Sequence, residues 1–229
     1  MGNKYDLGRI SGIPVMLDPT FLVLVAIWMM GYLRAPSALT IAIGLMTVLG
    51  LALSILLHEL AHAFMGRRLG TAVDFVELNG MGGLCFYASP LPNDPWARIA
   101  ISIAGPAVNL ALYHGLGFLA WLTTGDVPWF VTFLLVSIAT ANWWLFIFNM
   151  LPAFPLDGGQ ALRDFLGMFL PGLTATKVVA GLGLFCMFCV VGFALQYQQL
   201  FLGMIAFFIG LVNWKAWQDA SRPPWQRWQ

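Results

Sequence analysis

Long apolar runs separated by short polar stretches set the pattern of this chain. Six of them read as membrane helices, on the basis that a crossing takes ~20 residues. They are about Thr20–Leu33, Ala38–Met65, Ala97–Trp121, Pro128–Leu151, Thr174–Leu195 and Leu200–Trp217. The first is short for a crossing unless Ile13–Leu17 joins it. Between the second and third runs the pattern changes. Val73–Leu78, a glycine cluster at Asn79–Gly83 and then Leu84–Tyr87 read as a strand or hairpin. The expected fold is an all-α membrane protein of about six transmembrane helices, with a short membrane-associated β-hairpin or strand segment after the second. One polytopic domain is expected over 1–229, with a cytoplasmic N-terminal segment at 1–18 and a short cytoplasmic tail at 218–229.

Composition agrees with a lipid environment. The 229 residues are 60% hydrophobic and 9% charged, with a mean hydropathy of +0.81, whereas soluble domains carry about 25% charged residues. The net charge of +1 gives no sign of a nucleic-acid partner, and none is expected. Three cysteines make no disulfide framework, and Cys186 and Cys189 read as core packing in an apolar helix. Met1–Asp18 is polar or mixed, unlike a cleavable signal peptide.

Charge placement predicts orientation. With a cytoplasmic N-terminus, Lys4, Arg9, Arg67, Arg68, Arg98, Arg163, Lys177, Lys215, Arg222 and Arg227 fall inside and only Arg34 outside, as the positive-inside rule requires. Both termini are then cytoplasmic. Trp121 and Trp129 flank the outer interface, and Trp214 and Trp217 the inner one.

The second run holds His58-Glu59-Leu60-Ala61-His62. Histidines at i and i+4 share a helix face, the spacing that holds zinc, and the Glu between them is placed as general base. Ionisable groups within an apolar span are costly and mark function. The motif lies one to two turns inside the cytoplasmic end of its span.

A third ligand is needed, and the chain offers few. His114 lies about 24 Å along its helix from Arg98, roughly twice the depth of His58. Asp157 stands in Asn149-Met150-Leu151-Pro152-Ala153-Phe154-Pro155-Leu156-Asp157-Gly158-Gly159, where prolines and glycines break the helix. Irregular backbone at membrane depth is tolerated where it is buried or lines a cavity. Asp157 either reaches the histidines or serves only as the N-cap of the next helix. Asp164 is a weaker candidate.

Together the motifs resemble the site-2 protease family of intramembrane zinc metalloproteases. The resemblance rests on H-E-x-x-H at His58–His62, on N-x-x-P-x-x-P-L-D-G-G from Asn149 to Gly159, on Ala104-Gly105-Pro106-Ala107-Val108-Asn109, and on the glycine-rich segment at Asn79–Gly83. It implies one catalytic Zn²⁺ held by His58, His62 and Asp157, with Glu59 catalytic and Asn149 assisting at the substrate or intermediate. Asn142, Gly82 and Gly83 are the implied substrate contacts. The implied activity is cleavage of a single-span or other transmembrane protein in the bilayer, near the cytoplasmic face. Gln160 stands where many members have Arg, and neither a PDZ-like insertion nor nucleotide-sensing repeats are expected. Gly105-Pro106 is read as a kink or a close helix approach. The competing reading is a non-proteolytic membrane protein that binds or transports metal.

Overall fold

The computed structural model describes residues 4–222, so the expected tail is described only to Arg222. The chain divides into two compact units. One holds the described residues up to Pro92 together with Ala104–Phe146, and the other holds Asn93–Ile103 and the described residues from Ile147 onward.

The first unit is built on a four-stranded sheet and a long helix. Strands β1 (Tyr5–Ile10), β2 (Ile13–Leu17), β3 (Val73–Asn79) and β4 (Gly82–Tyr87) lie side by side in that order. β1 and β2 form an antiparallel hairpin, as do β3 and β4. β2 and β3 run parallel, with Val15 opposite Val76 and Leu17 opposite Leu78. A parallel pair needs a crossover. Here it consists of α1 (Phe21–Met29), a 3₁₀ turn (Tyr32–Arg34) and α2 (Ala38–Arg68). Leu60 and Ala63 of α2 pack with Ile13 and Val76 of the sheet, with Leu56, Val73 and Cys85 around them. Ser37 caps α2, its side chain accepting from the Thr40 N–H at 3.0 Å.

Among the described residues five helices are long and apolar enough to cross a membrane, where the sequence suggested about six. They are α2, α3 (Pro95–Thr123), α4 (Trp129–Asn149), α6 (Gly172–Gln196) and α7 (Leu200–Ser221). The expected first span is the exception. Its nine-residue helix rises about 13 Å, too little for a ~30 Å hydrocarbon core. Ile13–Leu17 does not extend it, because that segment is strand β2. The expected N-terminal segment likewise holds β1 and all of β2. Buried residues make up only 28% of the most apolar window of α2 and 11% of that of α4. Few of their residues are fully buried, which suits a multi-pass integral membrane protein.

In the second unit α6 and α7 pack along each other, and short amphipathic α5 (Asp157–Leu166) packs on α6. Ala153, Met187, Ala206 and Ile209 form its core. Cys186 packs at the edge of that core and Cys189 is exposed. Asp164, weighed as a metal ligand, is buried in an ion pair with Arg98 at 2.7 Å and another with Arg163.

Candidate metal centre

Helix α2 presents different faces to different neighbours. Leu56, Leu60 and Ala63 take the sheet, while Gly50, Ser54, His58 and His62 form a separate stripe. Small residues on that stripe let other helices close in. A Cβ on Gly50 would lie 2.3 Å from Ile138 Cδ1 of α4, and one on Gly105 of α3 would lie 2.3 Å from His62 Nε2 and 2.6 Å from His58 Nε2. Gly105 therefore marks a close helix approach, and its missing side chain is the space in front of both imidazoles.

Both histidines and Glu59 are buried. The two Nε2 atoms converge to 3.0 Å. The other ring nitrogen of His58 fixes its tautomer. Nδ1 lies 2.5 Å from Asn109 Oδ1, and Asn109 Nδ2 donates to Asn142 Oδ1 at 2.8 Å. The Asn109 oxygen therefore accepts, so His58 Nδ1 donates and its Nε2 keeps a free lone pair. Asn142 Nδ2 in turn donates to Ser54 Oγ and to the Ile138 carbonyl, both at 2.9 Å. Ser54 Oγ donates to the Gly50 carbonyl at 2.8 Å. The His58 Nε2 lone pair faces the His62 ring nitrogen across the space that Gly105 leaves, and two imidazoles converging in this way fit a metal ion.

Asn142, expected as a substrate contact, is a member of this relay. The residue is 0% exposed, and its amide is engaged with Ser54, Ile138 and Asn109. Asn109 and Ser54 went unassigned in the sequence reading. The Asn of the A-G-P-x-x-N segment was visible, but its partner lies 51 residues away in the chain.

Partners that orient a metal-binding histidine typically hold 10–100-fold of metal affinity. Asn109→Leu is therefore expected to weaken zinc binding by about that factor, read by competition with a chelating dye. Wild-type affinity in the variant would remove the relay from the metal site.

Glu59 leans toward the sheet. A Cβ on Gly83 would come within 2.5 Å of Glu59 Cγ and 2.7 Å of Oε1. Only glycine lets the start of β4 lie so close to the carboxylate. Gly82 has φ +121°, a conformation that suits glycine, and nothing stands where its Cβ would be. β4 is the edge strand on its side of the sheet. Cys85, further along β4, has its thiol pushed up to about 12, first by burial and further by the Glu59 charge, against a hydrogen bond with Tyr87. It stays a neutral thiol at physiological pH.

In the second unit, Asp157 is the first residue of α5. Leu156 occupies the cap position, with no side-chain cap bond, so Asp157 is not the cap residue. A Cβ on Gly158 would lie 2.4 Å from the Met150 carbonyl oxygen, and one on Gly159 would lie 2.4 Å from that of Ala153. Both glycines let the preceding loop fold back over the first turn of α5. Gln160 Nε2 donates to the Pro155 carbonyl at 2.9 Å and so braces the same loop. Asn149 is the last residue of α4. His114 lies beside Tyr113, with ring centroids 4.9 Å apart and the planes tilted by 57°. Among the described residues, the group of three or more His, Cys, Asp or Glu able to hold a metal is His58, His62 and Asp157, with ligand atoms all within 4.8 Å of one another. His114 and Asp164 are not in it.

Comparison with known proteins follows the same residues. The family model described as Peptidase family M50 matches residues 46–125, which contain the two histidines, Glu59, the β3–β4 hairpin, Gly105 and Asn109. Rip3 of Mycobacterium tuberculosis is 35% identical over 177 residues, covering 72% of this chain and 44% of Rip3. Zinc metalloprotease MJ0392 of Methanocaldococcus jannaschii is 28% identical over 209 residues, covering 91% of this chain and 59% of that protein. The chain thus spans about half the length of these relatives. The solved structure of the site-2 protease from Methanocaldococcus jannaschii superposes with a TM-score of 0.68 at 25% identity, over 94% of this chain and 95% of that one. Sequence match and shared fold point the same way: over residues 46–125 the chain is similar to peptidase family M50, and its fold is similar to that of a site-2 protease.

Proposed function

We propose that this chain is an intramembrane zinc endopeptidase that hydrolyses a peptide bond in or near a transmembrane segment of a membrane-protein substrate. The observation that carries the reading is the His58, His62 and Asp157 group with Glu59 beside it on the same helix. Three protein ligands suit a catalytic rather than a structural zinc site. Bound there, the ion supplies Lewis acidity and brings the pKa of water toward neutrality. Glu59 is the base that takes the proton and returns it to the leaving amine. Asn149 is a hydrogen-bond donor for the oxygen on which charge develops.

A helical substrate has its carbonyls screened by their own hydrogen bonds and must be extended before cleavage. Among the described residues β4 is the edge strand; it offers backbone groups for strand addition, and Gly83 brings its start against Glu59. Gly82 and Gly83 are thus the substrate contacts best supported. The charge asymmetry supports cytoplasmic termini and a site toward the cytoplasmic side of the bilayer. A metal store or carrier has no use for a base placed against the start of an edge strand, so binding or transport is the weaker reading.

The test uses the purified chain in lipid nanodiscs with a panel of single-span substrates. About one zinc per chain is expected, with cleavage that stops on chelation and returns with zinc. His58→Ala should lose both metal and cleavage, and His114→Ala should keep both. A zinc-loaded chain that cuts none of the panel, or a cut that survives metal removal, would defeat the proposal.

A further inference from the structure

The zinc reading leaves open what holds Asp157 in place, and the second unit contains a buried amide that the chemistry above does not use. Asn213 of α7 is 0% exposed. Its Oδ1 accepts from the Phe154 N–H at 2.9 Å, and its Nδ2 donates to the Phe154 carbonyl at 2.7 Å. The second Nδ2 hydrogen goes to the Ile209 carbonyl on its own helix at 2.8 Å. Only one orientation of the amide satisfies all three contacts. One side chain thus binds both polar groups of a residue in the broken segment, as a neighbouring strand would.

The packing around this amide is equally specific. A Cβ on Gly183 of α6 would lie 2.2 Å from Asn213 Oδ1 and 3.0 Å from the Ala153 Cα. Glycine at 183 is the space in which the amide and the loop meet. From Phe154 to Asp157 each intervening residue is tied as well. The Pro155 carbonyl accepts from Gln160 Nε2 at 2.9 Å. Leu156 N–H donates to the Ala153 carbonyl at 2.9 Å, and the Leu156 carbonyl accepts from Gln160 N–H at 3.1 Å. No slack backbone separates the amide from Asp157.

Burying an amide costs free energy unless its bonds are made, and an apolar residue would fill an ordinary helix contact without that cost. We propose that Asn213 is a positioning residue for Asp157, clamping Phe154 so that the Asp157 carboxylate is held ready for the metal. The proposal rests on the zinc reading above. Asn213 touches neither substrate nor metal and acts only through the loop.

Zinc affinity, measured by chelator competition on the full chain in nanodiscs, separates positioning from general stability. Asn213→Ala removes all three bonds. Asn213→Asp keeps the size and the acceptor but turns an oxygen toward the Phe154 carbonyl. Both variants are expected to bind zinc about 10–100-fold more weakly and to lose most of the thermal stabilisation that zinc gives the wild type. Where the alanine variant does not fold, the aspartate variant decides. Wild-type zinc affinity in a folded variant, with only the metal-free form destabilised, would overturn the proposal. A wild type without zinc, or a His58→Ala variant that keeps it, would instead defeat the metal reading.

Discussion

Glu59→Gln is expected to lower cleavage by about 10²–10⁴-fold, the usual range for a general acid or base, while zinc content stays at the wild-type level. The replacement keeps the shape of the side chain and takes away its ability to accept a proton at neutral pH. Shape matters here because Gly83 leaves no room for rearrangement. A Cβ at that position would already lie 2.5 Å from Glu59 Cγ, so an isosteric amide fits where a longer side chain would push β4 away. Glu59 is not in the metal-binding group. Affinity for zinc is therefore expected to be nearly unchanged, and the kinetic loss should fall on kcat. Cleavage by the glutamine variant within tenfold of wild type would show that another group handles the proton.

The parts of this molecule readable in one sequence are those whose signals are local. The His58–His62 pattern shows itself through i, i+4 spacing, and helices α2, α6 and α7 begin within a few residues of their expected starts, because apolar length alone marks a span. Asp157 could be shortlisted because carboxylates are scarce, although sequence left open whether it reached the histidines. What escaped was non-local. Ile13–Leu17 is a short apolar run whose period does not distinguish strand from helix. It becomes β2 because it pairs with β3, with Val15 opposite Val76 across the length of α1 and α2. The relay from His58 through Asn109 and Asn142 to Ser54 joins three helices, and Asn213 meets its partner 59 residues away. Buried asparagines give no periodic signal. Each resembles any other polar residue in a span until its partner is known.

Gly105→Ala is expected to leave the fold in place and reduce zinc affinity by at least about 10-fold, and with it cleavage. The added methyl would stand 2.3 Å from His62 Nε2, 2.6 Å from His58 Nε2 and 2.7 Å from His58 Cδ2, distances no relaxed structure retains. α3 gives way less easily than the rings, since it is a long packed helix and they are the ends of side chains. The imidazoles therefore turn. Turning His58 also stretches its Nδ1 bond to Asn109, the contact that keeps its Nε2 lone pair free. The variant thus affects both ligands and the bond orienting one of them. Its metal-free thermal midpoint should move by no more than a few degrees, because helix propensity favours Ala over Gly by about 1 kcal/mol and offsets part of the steric cost. Zinc should no longer raise that midpoint to the wild-type extent. Dye competition and paired melts with and without zinc make the comparison. If Gly105→Ala binds zinc as tightly as wild type, the space in front of the two Nε2 atoms is not where the metal sits.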